Sequence, residues 1–258
     1  MNSDTPKIEA TIRSLRVLNT IRDLGECTVT EIADQTNMTK PTVYNHLMTL
    51  LGEGFVIKEN KKYRLGLALF DLGARAREQY DCYSSAVPTI DHIVEETGER
   101  VFLAVLEDNK GYIVYMNSGE NAIPSDLRVG ESFPIHASAA GKAILAFLPD
   151  EQRRAVLDNV ELEAVTEFTT TDRDKLEREL EEITGTWYAI SESERVDGIH
   201  EIACPITDDE RNVLGALGVI VPVYRQMDAE TREEITNFLL EGKDVIGMKT
   251  AISGDRFQ

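Results

Sequence analysis

The chain has 258 residues, 42% of them hydrophobic and 28% charged, which suits a globular protein with well-buried cores and leaves room for two ordinary domains. No apolar run reaches the roughly 18–20 residues needed to cross a bilayer, and the start MNSDTPKIEA lacks the basic-then-apolar order of a signal peptide. Three scattered cysteines (Cys27, Cys82, Cys204) with no CxxC argue against a disulfide framework or a cysteine zinc site. These features together read as a cytoplasmic protein.

The net charge of −19 is unevenly spread. Residues 1–80 hold 11 Lys and Arg against 10 Asp and Glu, whereas the remaining 178 hold 16 against 36. A near-neutral front and a strongly acidic back fit a nucleic-acid-binding head on a separate body. Surfaces so rich in Asp and Glu resemble those of proteins from salt-loving organisms, and a halophilic archaeon is the expected source.

In chain order, Ile12, Leu15, Val17, Leu18, Ile21 and Leu24 recur at helical spacing, and Gly25 follows as a stop signal. Thr28-Val29-Thr30-Glu31 is a capping-box pattern that opens a short second helix, and Asn37-Met38 makes a tight connection. Thr39 can cap a third helix, with Pro41 tolerated in its first turn. Val43, Leu47, Leu50 and Leu51 form one face of that helix. The opposite face carries Thr42, Asn45 and Thr49, with Lys40, Tyr44 and His46 at the borders. Such side chains can reach base edges in a major groove. Phe55–Lys58 and Lys62–Leu65 read as a hairpin around Glu59-Asn60-Lys61, a wing that places Lys58, Lys61, Lys62 and Arg64 to touch phosphates.

Gly66 to Gln79 has a helical period and reads as a linker helix. Val101–Leu106 and Tyr112–Met116 are strand-like runs around a turn at 107–111. Ser138-Ala139-Ala140-Gly141-Lys142 places small residues at a helix start, where free N–H groups and the helix dipole favour an anion such as a carboxylate. Close packing of the helix on a sheet explains the same small residues. A charged helix is expected over Thr171–Gly185, ended by its glycine. Strands at Glu201–Ile206 and Val213–Val221, then a helix from Asp228 to about Val245, complete a mixed body.

Several segments together carry a resemblance. They are Tyr63-Arg64-Leu65-Gly66 with Leu72-Gly73; Pro134-Ile135-His136-Ala137-Ser138-Ala139-Ala140-Gly141-Lys142-Ala143; Glu194 to Gly198 followed by Ile202-Ala203-Cys204-Pro205-Ile206; and Leu214-Gly215-Ala216-Leu217-Gly218-Val219. In these, over essentially its whole length, the chain resembles the IclR family of transcriptional regulators. The resemblance implies an α+β protein with an N-terminal winged helix-turn-helix at 1–66, a linker helix at 67–82 and a GAF-like α/β effector-binding domain at 83–258. It implies dimers on palindromic double-stranded DNA, often paired into tetramers. It further implies that an effector's carboxylate meets backbone amides at Ala139 and Ala140, with Ser191, Glu201, Gly218 and Ile220 lining the rest of the pocket. Here the chain departs from the family. Asn45 stands where the recognition helix commonly has Arg, the lining residues often are Asp, Cys and Ser, and Trp187 replaces a usual glycine.

A pocket-facing Glu201 would repel a second anionic group while accepting bonds from hydroxyls. A polyhydroxylated monoacid, such as a sugar acid, then fits better than a dicarboxylate; aromatic acids are the other class that the family supports. If Glu201 instead lies at a strand end, it is a solvated charge. No catalytic residue or cofactor is expected, because there is no GxSxG elbow, no P-loop and no GxGxxG after a strand, and no metal, because nothing in the sequence fixes the geometry of a metal site. The alternatives are a metal-responsive regulator using His136, His200 and Glu201, and a small-molecule enzyme.

Overall fold

The computed structural model of the chain describes residues 7–123, 127–223 and 229–254. Contacts divide the chain into two compact units, Met1–Ala76 and Arg77–Gln258.

In the first unit, α1 spans Glu9–Leu24, α2 Val29–Thr36 and α3 Lys40–Gly52. Both halves of the expected capping box form at α2: Thr28 N donates to Glu31 Oε2 at 2.7 Å, and Glu31 N to Thr28 Oγ1 at 3.3 Å. Between α2 and α3 the chain turns through Asn37 in the left-handed region (φ 55°), which Asn tolerates better than most residues. Thr39 caps α3 by accepting from Thr42 N. The three helices bury Val17, Ile21, Ile32, Val43, Leu47 and Leu50 against Val56 and Tyr63 of the wing. Leu15 and Leu24 of the expected α1 stripe are exposed, and Thr20 is buried instead.

Strands β1 (Val56–Glu59) and β2 (Lys62–Leu65) form the wing, paired from Val56 with Leu65 to Glu59 with Lys62. Cys27 and Tyr63 exchange both backbone hydrogen bonds (3.1 and 2.7 Å), which ties the wing to the α1–α2 connection. Helix α4 (Ala68–Arg77) follows and buries none of its residues.

The second unit is a six-stranded antiparallel sheet in the order β5-β4-β3-β8-β7-β6. Its strands are β3 (Arg100–Glu107), β4 (Lys110–Ser118), β5 (Ser132–Pro134), β6 (Ala189–Glu192), β7 (Ile199–Thr207) and β8 (Val213–Pro222). Asp108 and Asn109, both at positive φ, close the two-residue β3–β4 turn. Helices α5 (Cys82–Thr97) and α9 (Ala229–Gly254) cover one face over Leu103, Ile202, Cys204 and Val219. Helices α6 (Ala139–Phe147), α7 (Asp150–Asn159) and α8 (Arg173–Thr186) cover the other, over Phe102, Ala104, Ala203, Ala216 and Ile220. Because both faces are covered, β7 and β8 read as nearly unbroken apolar runs rather than alternating ones.

Several elements of the second unit differ from the sequence expectation. Helix α8 is capped by Asp172 and runs through Gly185, ending at Trp187, whose φ of 66° puts it in the left-handed region. That conformation accounts for glycine being usual there. Trp187 is held in place by Phe147, 4.4 Å between ring centroids, and by the Lys243 ammonium 4.4 Å above its ring. Helix α9 extends to Gly254 rather than stopping near Val245, and its expected first residue, Asp228, lies outside the described residues. Helix α5, with Pro88 inside it, helix α7 and the edge strands β5 and β6 have no counterpart in the sequence expectation.

Candidate functional site

On α3, Val43, Leu47 and Leu50 face the core, so the rotation of the helix leaves Lys40, Tyr44, Asn45 and Thr49 exposed. Thr39 and Thr42 are bonded to each other through their hydroxyls at 2.8 Å. Thr49 Oγ1 donates to the carbonyl of Asn45 at 3.2 Å, while among the described residues no such bond holds the Asn45 side chain. His46 is half-buried, with Nδ1 2.9 Å from Ser14 Oγ; that nitrogen serves the α1–α3 contact. On the wing, Lys58, Lys61 and Lys62 are exposed. The Lys58 ammonium lies 5.4 Å from the Tyr63 ring centre. Arg64 differs, because Nε and Nη2 are both bonded to Glu59. The structure therefore brings an exposed polar helix face and three exposed lysines into one small unit.

In the second unit, Ser138 Oγ caps α6 by accepting from Gly141 N at 3.0 Å. Ala139, Ala140 and Gly141 are fully buried. A Cβ on Gly141 would lie 1.8 Å from the Ile135 carbonyl oxygen, so at this position the small residue serves close packing. The Ala140 amide has a different partner. It donates to Glu201 Oε1 at 2.8 Å. Glu201 is the third residue of β7, paired on both sides and 3% exposed, not a solvated charge at a strand end. Ser191 and Ile220 are its neighbours across the sheet. Gly218 sits two residues along, and the Phe102 ring covers it; a Cβ there would lie 2.4 Å from that ring.

Sequence reasoning missed one further participant, Arg195. Its side chain is 7% exposed although its backbone is more open, and Nη2 lies 3.3 Å from Glu201 Oε2. The guanidinium stacks on Phe133, 4.8 Å from the ring centre. Yet Nε, Nη1 and Nη2 are all buried and donate no hydrogen bond among the described residues. Each buried donor left so costs about 1–3 kcal/mol. The only signal in the sequence was an arginine within the Glu194–Gly198 loop, and nothing in its spacing announces burial.

Lys142 is buried as well, but fully engaged. Its ammonium bonds Glu179 Oε2 and both oxygens of Glu194, each at 2.7 Å. Burial pushes the Glu179 carboxyl up, but the bonds from Lys142 and Thr170 outweigh this and hold it below its ordinary value. A cleft of about 560 Å³ opens beside this cluster, lined by Lys142, Lys175 and Arg232 but also by Glu179, Glu182, Glu192 and Glu194. Four carboxylates against three cations make it a poor seat for an anion. His136 Nε2 lies 3.1 Å from the Glu163 carbonyl oxygen, and Nδ1 is buried without a partner among the described residues. Burial lowers its pKa, so the ring is neutral near pH 7.

His136, His200 and Glu201 do not converge. His200 and Glu201 are adjacent on β7 and so point to opposite faces of the sheet. Among the described residues no group of three His, Cys, Asp or Glu side chains is placed to hold a metal ion, and no helix is long and apolar enough to cross a membrane.

Comparison with known proteins decides the family. Residues 74–246 match the model described as "Bacterial transcriptional regulator IclR C-terminal", and residues 10–59 match the IclR helix-turn-helix domain. The chain belongs to the IclR family of transcriptional regulators. It is a DNA-binding regulator with a C-terminal effector-binding domain, and not an enzyme. Among IclR-family relatives, the "Probable HTH-type transcriptional regulator ArcR" of Halobacterium salinarum is 27% identical over 252 residues, covering 96% of each chain. The HTH-type transcriptional regulator KdgR of Escherichia coli is 29% identical over 242 residues, 91% of each. The crystal structure of the Thermotoga maritima IclR superposes with a TM-score of 0.81 at 28% identity, covering 95% of this chain and all of that one. An IclR homologue from Microbacterium hydrocarbonoxydans, complexed with 4-hydroxybenzoate, gives 0.80 at 25% identity with the same coverage.

Proposed function

We propose that this regulator controls catabolic genes by binding a palindromic operator as a homodimer, or as a pair of dimers, and that a small carboxylate changes its grip on that DNA. The observation that carries the DNA reading is the exposed face of α3, with Lys40, Tyr44, Asn45 and Thr49, beside the three exposed wing lysines. Asn45 is suited to bidentate contact with adenine, and the lysines to phosphate. Thr39, Thr42, His46 and Arg64 complete the proposed contact set. Helix α4 supports a dimer, since Leu67, Phe70 and Leu72 are exposed on or beside it. Three segments, 1–66, 67–82 and 83–258, are assigned as DNA-binding domain, linker and effector domain. The place of action is the cytoplasm, and the acidic surface suits a halophilic source.

The proposed effector is a sugar acid or an aromatic acid, bound near Ala139, Ala140, Ser191, Glu201, Gly218 and Ile220. The relative complexed with 4-hydroxybenzoate supports the aromatic class, and the buried Glu201 favours a monoacid bearing hydroxyls. The test is affinity for the DNA upstream of the chain's own gene, with and without 4-hydroxybenzoate or D-gluconate. Coupling between two sites is typically worth 5–150-fold, and a shift in that range is expected with one of these acids. Specific DNA binding that neither acid moves would overturn the effector reading and leave the DNA reading standing.

A further inference from the structure

We propose that Arg195 is the residue that receives the effector's acid group, and that Glu201 is a built-in carboxylate already occupying the helix amide an effector would otherwise use. The proposal rests on the carboxylate-effector reading and moves its anchor to a different residue. Glu201 Oε1 takes the Ala140 N–H at 2.8 Å, and Oε2 is 3.3 Å from Arg195 Nη2. The start of α6 is thus filled by an anion that belongs to the chain, and an incoming carboxylate would have to displace a tethered one.

Arg195 has what that amide lacks, namely donors with nothing to bond. A guanidinium offers five N–H groups in a planar fork that matches the two oxygens of a carboxylate. Among the described residues Nε and Nη1 are buried without an acceptor, and Nη2 has only the ion pair. Phe133 stacks against the group and helps hold its plane. Glu201 also sets the class of ligand. Its charge beside Nη2 opposes a second acid group on the same ligand, so a monocarboxylate is preferred over a dicarboxylate.

A purely structural ion pair and a binding arginine predict different things. If the pair only holds the fold, breaking it from either side changes the protein in the same direction. If Arg195 binds the effector and Glu201 competes for it, Arg195→Met weakens acid binding while Glu201→Gln strengthens it. Calorimetry with acetate, 4-hydroxybenzoate and D-gluconate, on the full chain and both variants, reads this directly, with melting curves to establish folding. A loss of tenfold or more in Arg195→Met and a gain of several-fold in Glu201→Gln are expected. Should Arg195→Met not fold, Arg195→Lys takes its place. It keeps the charge but loses the fork, and a several-fold loss is expected. Binding that is unchanged in the arginine variant, or moved in the same direction in both, would overturn the assignment and leave the effector reading intact. No binding of any of these acids to the wild-type chain would overturn both.

Discussion

His136 shows what burial does to one titratable group. Desolvation lowers its pKa below the ordinary 6.5, against the raising effect of its bond to the Glu163 carbonyl. The folded state therefore resists taking up a proton that the unfolded chain accepts below about pH 6.5. As pH falls through that value, the unfolded state binds more protons and stability drops. Glu179 acts in a lower window. Its folded pKa is depressed, so the stability it contributes is present above about pH 4.5 and lost below it. Urea midpoints at pH 7.5 and 5.5 should thus fall less for His136→Gln than for the wild type. An equal fall in both proteins would show that His136 does not contribute to this window.

Helix α6 shows how packing and binding share one element. Its small residues are readable in sequence both as a seat for an effector's anion and as close packing; the packing is seen at one atom, and a carboxylate of the chain itself is seen at another. Gly141 has the Ile135 carbonyl against it, whereas the Ala140 amide holds a carboxylate. The source of that carboxylate was not legible, because Glu201 lies 61 residues away and reaches α6 only through the sheet. Gly141→Ala should destabilise the second unit by at least about 2 kcal/mol, although alanine is the better helix former. Gly185→Ala, with nothing within 4 Å of the added Cβ, should be neutral or stabilise by up to about 1 kcal/mol. Thermal melts of the two variants check this pair, and a tolerated Gly141→Ala would mean that α6 can shift on its sheet. Elements with local signals, the Thr28 and Thr39 caps and the β3–β4 turn, were readable at once. Helix α5 was hidden by its internal Pro88, and the end of α8 by a tryptophan in a conformation that sequence assigns to glycine.

For the whole molecule, the division of charge is the property most directly legible in the sequence. The chain carries −19 overall, and all of that excess lies behind residue 80, so the α3 and wing lysines belong to a near-neutral head. Burial of Arg195 and Lys142 could not be read from composition, since arginine and lysine are the residues least expected inside. The central claim is that the α3 face reads DNA sequence and the wing holds its backbone. It is tested by titrating the full chain, Asn45→Ala and Lys62→Ala against the duplex upstream of its own gene and against a shuffled duplex, across a range of salt concentrations. The account predicts at least about 10³-fold preference for the upstream duplex in the wild type. Asn45→Ala should cost roughly 1–3 kcal/mol on that duplex alone. Lys62→Ala should weaken binding to both duplexes alike and lower the log–log salt slope by about 1. Equal affinity of the wild type for both duplexes at every salt concentration, or a preference that Asn45→Ala leaves intact, would contradict it.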